Sequence, residues 1–240
     1  NNIANGYVIS PKRSTISGKV TLPLTYQSSS DSSPLPIIGI QGFGSSEITH
    51  VFWNDAKGDN PNLRKILSSA FQNTPIQFFE FTSGLRVIEQ SAFMARNMIK
   101  DERCVALLGE SPLLSVGQNA FNSAFGFTNL ETFKLRGTIQ EIGLYGFMFQ
   151  NGVNNTIGTL QIGSQEEPSI LKDCGGWMPD TMGVLEAYEG IRPSNPAYTS
   201  YFTNCIIYKK AGVFNDEIFG NNEDLAPLIA GYGSLNIFSV

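Results

Sequence analysis

Histidine and cysteine, the side chains that most often carry nucleophilic or metal chemistry, are scarce in this sequence. The only histidine among the 240 residues is His50, and the three cysteines are Cys104, Cys174 and Cys205. A Cys–His or Ser–His–Asp apparatus needs a base that a third group orients, so one histidine limits such chemistry to a single place. A zinc site needs several His and Cys ligands at regular spacing, which are not available. We therefore predict no catalytic residue, no metal site and no cofactor.

Acidic side chains are concentrated in two stretches, at residues 55–60 and 215–224. Neither stretch fits the D-x-[DN]-x-[DN]-G pattern of a calcium loop, so we interpret both as solvated loops. The motifs GxSxG, HExxH, GxGxxG and the P-loop are absent from the sequence. Glycoside hydrolysis would need a defined pair of carboxylates, and no pair stands out. An enzyme is therefore the least favoured function for this chain.

The cysteines and the overall composition bear on the compartment. The three cysteines form no CxxC pair, and we interpret them as buried small hydrophobic residues, while a Cys174–Cys205 disulfide stays open for an extracellular protein. Residues 154–156 form an N-glycosylation sequon, a motif so short that it often arises by chance. Only 15% of the residues are charged, and such a polar but weakly charged surface is common in exported proteins.

Net charge and hydropathy exclude two classes of partner. The net charge is −5 and no basic run occurs, so the clustered Lys and Arg that phosphate backbones require are missing, and we predict no nucleic-acid binding. No apolar stretch approaches the roughly 18 residues of a membrane-spanning helix, so we predict no membrane insertion within this chain.

The framework that would position any functional side chain is a pattern that recurs five times. It consists of an aliphatic residue, Ile or Val three positions later, and Ala or Gly four positions after that, followed directly by Phe. Successive copies begin 28, 22, 28 and 26 residues apart, which is close to the period of leucine-rich repeats. We expect the Ile/Val and Phe positions to form the repeat core. These residues are Ile38 and Phe43, Ile66 and Phe71, Ile88 and Phe93, Val116 and Phe121, and Ile142 and Phe147.

A second pattern follows each copy, an apolar residue and another two positions later, which is typical of a half-buried strand. The pairs are Val51 and Trp53, Phe79 and Phe81, Val105 and Leu107, Phe133 and Leu135, and Leu160 and Ile162. Their spacings of 28, 26, 28 and 27 residues keep the same register as the first pattern. The third pair fits least well, because Glu102 occupies a position that is Ile or Leu in other copies.

Together the two patterns predict one domain, a leucine-rich-repeat solenoid over residues 1–240, mostly β with short helical turns. Stacking of coils buries apolar faces that no single repeat can bury alone. We expect an irregular N-terminal cap at 1–34, with strands near Tyr7–Ile9 and 19–24, and five repeats at 35–165. The remainder, 166–240, is predicted to hold a degenerate sixth repeat (Ile170, Cys174, Leu185 and Ala187) and a C-terminal cap with strands at 205–209 and 235–240.

The repeat resembles a known family at two places. Residues 116–121, VGQNAF, match an Ile-Gly-x-x-Ala-Phe signature, and residues 128–150, TNLETFKLRGTIQEIGLYGFMFQ, place a strand before a second copy of it. This pattern resembles the BspA-type leucine-rich repeat of bacterial surface proteins, over roughly residues 35–164. The resemblance implies an extracellular or cell-surface location.

Strand alternation also predicts which side chains face outward on the concave surface that repeat proteins use for binding. One column contains His50, Phe78, Cys104, Thr132 and Thr159, and the next contains Phe52, Glu80, Ala106, Lys134 and Gln161. Exposed aromatic clusters often mark interfaces, so His50, Phe52 and Phe78 either anchor a partner, with sugar stacking as one form of contact, or are core residues covered by a loop. We expect a module that binds a protein or glycan; the alternative is a structural segment of a larger surface or fibre assembly, in which the chain could self-associate.

Overall fold

The computed structural model describes residues 5–12, 15–29, 33–95, 98–127, 130–143, 146–147, 157–170, 173–174, 202–209 and 234–239. The chain forms a β-solenoid of about five turns, in which parallel coils stack on one another. It is mostly β-structure, with a single short helix among the described residues. That helix has nine residues, and no described helix is long and apolar enough to cross a membrane.

One side of the solenoid is an eight-stranded sheet that takes strands from successive coils. Its order is β1–β4–β6–β8–β9–β11–β13, all parallel, with β3 antiparallel to β4. The bounds are β1 Tyr7–Ile9, β3 Thr25–Tyr26, β4 Leu35–Ile40, β6 Lys65–Ile66, β8 Val87–Ile88, β9 Ser115–Val116, β11 Glu141–Ile142 and β13 Asp173–Cys174.

The opposite side is divided into two parallel sheets, one of three strands and one of four. The first has the order β2–β5–β7 and the second the order β10–β12–β14–β15. The bounds are β2 Ser17–Leu22, β5 Glu47–Trp53, β7 Phe78–Phe79, β10 Leu130–Leu135, β12 Ile157–Ile162, β14 Phe202–Lys209 and β15 Ser234–Ser239. In the coil between β7 and β10 a helix, α1 (Glu102–Glu110), stands where a strand would pair.

The five phenylalanines of the first pattern form one continuous column inside the coils, as predicted. Neighbouring rings are stacked with centroids 5.1–5.3 Å apart, and the best aligned pair, Phe93 and Phe121, differs by only 3° in ring plane. All five rings are buried. Phe79, Phe81 and Phe133 contact this column from the opposite side, so a cluster of aromatic rings lies at the centre of these coils.

The turn that carries each Ala/Gly–Phe pair is hydrogen-bonded to the next coil. The Phe71 amide donates to the Ala92 carbonyl at 2.7 Å, and the amides of Phe93 and Phe121 donate in the same way to Ala120 and Gly146. Ser69, Ser91 and Asn119, which precede the small residue, have φ of 55–56°. Asn adopts this left-handed conformation more readily than most residues, whereas Ser69 and Ser91 adopt it at a local cost in backbone energy.

The core position predicted at Ile38 is wrong, because the first copy contains a β-bulge. Tyr7 pairs with Ile37 and Val8 with Gly39, so Ile38 has no partner on β1 and is only half-buried. The residue that aligns with Ile66 is Ile40, which is fully buried. The bulge takes Ile38 out of the row of inward side chains. Ile40 precedes the stacked Phe43 by three residues, whereas Ile66 precedes Phe71 by five, so the spacing of the pattern aligned the wrong isoleucine.

The strand predicted around Val105 and Leu107 is also wrong, since both residues lie in α1. Asp101 caps the helix, its side chain accepting a hydrogen bond from the Arg103 amide at 3.0 Å. Most residues of the ERCVALLGE segment are good helix formers. Cys104, Val105 and Leu108 are buried at helical spacing, which satisfies the apolar positions as well as a strand would.

Apart from β3, the strands at both ends of the stack pair in parallel with their neighbours, as the strands of the central coils do. In the region predicted as an N-terminal cap, β1 and β2 pair in parallel with β4 and β5. Cys174 in β13 aligns with Ile142, in the place predicted for a sixth repeat. The strand predicted at 205–209 lies within β14, and the one predicted at 235–240 coincides with β15 as far as residue 239. Leu185, Ala187 and the side chains of Cys174 and Cys205 lie outside the described residues, so the disulfide stays a prediction.

Candidate binding surface

The structure brings the predicted binding residues together in two groups rather than one. His50 and Phe52 lie on β5, and His50 is paired with Phe78 of β7. Thr132 and Lys134 of β10 are paired with Thr159 and Gln161 of β12. Each group keeps the column order that alternation predicts. Helix α1 separates the two groups, so the predicted concave surface is not continuous.

The first group is a cluster of three rings beside the N-terminus of α1. The ring centroids of Phe52 and Phe78 are 5.4 Å apart, and the His50 ring stacks on Phe52 at 6.0 Å. Phe78 is only 5% exposed, and the Arg103 guanidinium lies over its ring at 5.2 Å. Phe78 is therefore a core residue under a cover, and only His50 and Phe52 remain partly accessible.

His50 is surrounded by groups that favour its neutral form. Burial, Lys19 and Arg103 lower the pKa of the imidazole from its ordinary value, and Asp101 opposes them. Lys19 is the register neighbour of His50 on β2. Nδ1 lies 3.0 Å from the Thr49 hydroxyl, and none of the described carboxylates is hydrogen-bonded to the ring. The described surroundings of His50 thus lack the orienting acid of a catalytic dyad.

A groove of about 650 Å³, hereafter the aromatic groove, opens next to this cluster. Its lining residues are His50, Gln77, Phe78, Met98, Lys100, Asp101 and Glu102. Asp101 and Arg103 form a bidentate ion pair at the N-terminus of α1. Because Arg103 also covers Phe78, this pair narrows the ring surface that a ligand could reach.

Glu80, predicted to face outward, instead holds the preceding coil in place. Its carboxylate accepts a hydrogen bond from the Trp53 amide at 2.8 Å, and its carbonyl accepts one from Trp53 Nε1 at 3.0 Å. A side chain at Gly58 would collide with this carboxylate, which places Glu80 beneath the 54–60 loop. Burial raises the pKa of Glu80, with smaller contributions from Asp55 and Asp59.

The acidic stretch at 55–60 is an ordered loop whose carboxylates bond to the protein. Asp55 accepts from the Lys57 amide at 2.9 Å, and Asp59 accepts from the Ser83 amide at 2.9 Å and its hydroxyl at 2.6 Å. Across the described part of the chain, no three His, Cys, Asp or Glu side chains are arranged to hold a metal ion. The stretch at 215–224 and the sequon lie outside the described residues.

The second group of predicted residues lines a larger groove, of about 780 Å³, between α1 and the sheet of β10 and β12. We call it the helix groove. The exposed side of α1 contributes Glu102, Ala106 and Glu110, and β10 contributes Glu131, Thr132 and Lys134. Glu131, Thr132 and Lys134 are all exposed. Thr159 and Gln161 lie beside these residues on β12 but are half-buried, and Gln161 donates to the Gly163 carbonyl.

An ion pair closes one end of the helix groove. Arg136 donates through Nε and Nη2 to both carboxylate oxygens of Glu167, at 2.9 and 2.6 Å. The hydrogen bonds from Arg136 lower the pKa of Glu167, and they raise the pKa of Arg136. Both groups therefore stay charged near neutral pH, and the fork fixes the end wall of the groove.

Close packing of α1 against β10 sets the depth of the groove. A side chain at Gly109 would collide with the Lys134 carbonyl, so only glycine allows this approach. Cys104 is fully buried beneath the helix, where its thiol donates to the Phe79 carbonyl at 3.4 Å. The interpretation as a buried small hydrophobic residue is confirmed for this cysteine, and its place in the outward column is wrong. Burial raises the pKa of Cys104 to about 12, so the thiol stays protonated and unreactive.

Sequence reasoning missed Glu102, Glu110 and Glu131, which line the helix groove. The signal that could have found the first two is the helix itself, with Asp101 as its cap and a run of helix formers behind it. Comparison of the chain with protein-family models, with curated proteins and with solved structures finds no match in any of the three.

Proposed function

We propose that this chain is a binding module that holds a protein partner in the helix groove. The observation that carries the proposal is the replacement of a strand by α1, which raises a ridge on an otherwise flat sheet side and leaves a concave space against β10. Concave sites with a few polar groups of fixed orientation are where proteins usually bind ligands.

The chemistry of the helix groove favours a protein over a glycan. Its lining presents both signs of charge, from Glu102, Glu110 and Glu131 and from Arg103 and Lys134, together with apolar atoms of Ala106. Such a mixture suits the polar rim and apolar centre of a protein interface. Its described lining includes no aromatic ring on which a sugar could stack. In the aromatic groove, Arg103 covers Phe78, which leaves little ring surface on which a sugar could stack.

The family and the location belong to the same proposal. The stacked Ala–Phe turns and the parallel coils support assignment to the BspA-type leucine-rich repeats, and that assignment supports an exported or cell-surface module. At the cell surface, a partner would bind to the helix groove. Because the stacked coils hold this surface rigid, binding would cost little conformational entropy.

The experiment is a binding screen of the purified chain against immobilised extracellular proteins and a glycan array. For any partner retained, Lys134→Glu and Ala106→Arg should each weaken binding about tenfold or more, because one reverses a wall charge and the other fills the groove. Lys65→Glu, which changes an exposed lysine on the eight-stranded sheet, is the matched control. Equal affinity of all three variants, or retention only of glycans that compete at Phe52, would contradict the proposal.

A structural role is the second candidate, and the first coil favours it. Val20 and Ile9 are half-buried, whereas Val51 and Ile40, their partners in the next coil, are fully buried. Among the described strands, β1 and β2 each pair on one edge only. Open edges with apolar neighbours invite strand addition. Light scattering after size-exclusion chromatography decides this, since a monomer at high concentration argues against self-assembly.

A further inference from the structure

Two arginines occupy the same position in consecutive coils. Arg64 lies two residues before Ile66 and Arg86 two residues before Ile88, and these isoleucines are register partners. The amide of Arg86 donates to the Arg64 carbonyl at 3.0 Å, so the two backbones are direct neighbours. Neither arginine lines the aromatic groove or the helix groove. Their side chains therefore leave the same part of the surface, one coil apart.

Each guanidinium is held by backbone carbonyls through one nitrogen. Arg64 Nη1 donates to the carbonyls of Pro61, Leu63 and Gly84, at 2.5–3.3 Å. Arg86 Nη1 donates to the carbonyls of Ser83 and Leu85, both at 3.1 Å. These contacts fix the planes of both groups. Among the described residues, no acceptor is hydrogen-bonded to Nε or Nη2 of either arginine.

Other arginines of the described chain differ in this respect. Arg103 and Arg136 each direct a fork of two nitrogens to a carboxylate, Asp101 and Glu167. No described carboxylate lies within ion-pairing distance of Arg64 or Arg86. Burial lowers the pKa of Arg86, and the charged groups that add to this are Arg64 and Arg136, both cationic. In a chain of net charge −5, this is a local concentration of uncompensated positive charge.

We propose that Arg64 and Arg86 form a subsite for a tetrahedral oxyanion, a sulfate or phosphate group. Two guanidinium forks of fixed orientation match a group that presents three or more oxygens, and the charge-assisted bonds would relieve the repulsion between the arginines. The subsite lies outside the helix groove and does not depend on the proposed function. Its ligand is either a free inorganic anion or an ester on a larger molecule.

The test is a titration of the whole chain with sodium sulfate, followed by NMR or calorimetry, with sodium chloride keeping the ionic strength constant. We expect saturable binding, weakened about tenfold or more in Arg86→Lys, which keeps the charge and loses the fork. Arg64→Lys should act in the same direction. Lys65→Gln, which removes a neighbouring charge that belongs to no fork, should leave sulfate affinity unchanged.

Thermal unfolding of each variant separates loss of the site from loss of the fold. Arg86 bonds only to carbonyls within its own turn, so Arg86→Lys keeps the test valid even where Arg64→Lys unfolds. A sulfated oligosaccharide that binds more tightly than inorganic sulfate, with its desulfated form inactive, identifies an ester as the ligand; equal affinities identify the free anion. No saturable response of the wild type to sulfate, or an equal loss in Lys65→Gln, overturns the proposal.

Discussion

The two sides of the solenoid keep the repeat to different degrees. On the side of the turns, five phenylalanines stack at nearly constant spacing, and the eight-stranded sheet continues without interruption from β1 to β13. On the opposite side, α1 interrupts the ladder and separates two sheets, with one groove beside the N-terminus of the helix and the other between the helix and β10. Identical side chains at equivalent positions of successive coils form a continuous core. The one coil that departs from the repeat creates the grooves that a partner could recognise.

The largest effect should come from breaking the regular side. Phe93→Ala removes a ring stacked between Phe71 and Phe121, and we expect it to lower the free energy of unfolding by about 3–5 kcal/mol. Phe52→Ala, at a half-buried position on the interrupted side, should cost only about 1 kcal/mol. Urea denaturation of both variants measures the difference. Equal losses would show that the column is no more important than the surface cluster.

The bulge in β4 gives a sharper comparison within one strand. Ile40→Ala should lower the free energy of unfolding by about 2–4 kcal/mol, because Ile40 is fully buried against Ile66 and its neighbours. Ile38→Ala should cost no more than about 1 kcal/mol, since that side chain is half-buried on the bulge. The same denaturation measurement checks both. A larger loss in the free energy of unfolding for Ile38→Ala than for Ile40→Ala would contradict this register and favour the core position that the sequence spacing predicts.

The fit of α1 against β10 is tested at its closest contact. Gly109→Val introduces a side chain into the Lys134 carbonyl, and we expect a loss of about 1–3 kcal/mol in the free energy of unfolding. Ala106→Ser, on the exposed face of the same helix, should change stability by less than about 0.5 kcal/mol. Calorimetric unfolding of the two variants tests the contact. A neutral Gly109→Val would mean that the helix does not lie directly on the sheet.

The smallest effect concerns the cap of α1 and its pH dependence. Hydrogen bonds from Arg103 lower the pKa of Asp101, so this carboxylate stabilises the fold above its unfolded value of 3.8 and loses that contribution as the pH falls through the folded value. Asp101→Ala should lower the free energy of unfolding by about 1 kcal/mol at neutral pH. The gap between wild type and variant should close below pH 3.8. A gap that is independent of pH would exclude the charged cap.

These comparisons show which parts of the molecule were accessible from sequence. The column was predictable because a Phe after a small residue recurs at regular intervals, and stacking of coils then has only one inward position for it. Ile38 was mistaken for Ile40 because the first copy has three residues from Ile40 to Phe43 where the second has five from Ile66 to Phe71, and a bulge in the pairing with β1 turns Ile38 away from the core. Val105 and Leu107 satisfied strand alternation. The competing signal was Asp101, a residue that often caps a helix and that here precedes a run of helix-forming residues.

The candidate site was less accessible, since its parts come from tertiary structure. The register of Thr132 with Thr159 and of Lys134 with Gln161 followed from alternation. Arg103 covers Phe78, and Glu80 accepts a hydrogen bond from Trp53. Both contacts join residues from different coils, so no local sequence pattern predicts them. The helix groove exists only because one coil replaces a strand by a helix.

Nuclear Overhauser contacts between phenylalanine rings test the central claim most directly, that equivalent side chains of successive coils share one stack. In a sample with selectively labelled phenylalanine, the ring of Phe93 should show contacts to both Phe71 and Phe121, whose centroids lie 5.3 and 5.1 Å away. A Phe93 ring without contact to either neighbour would contradict the stacked coils, and with them both grooves and the arginine pair.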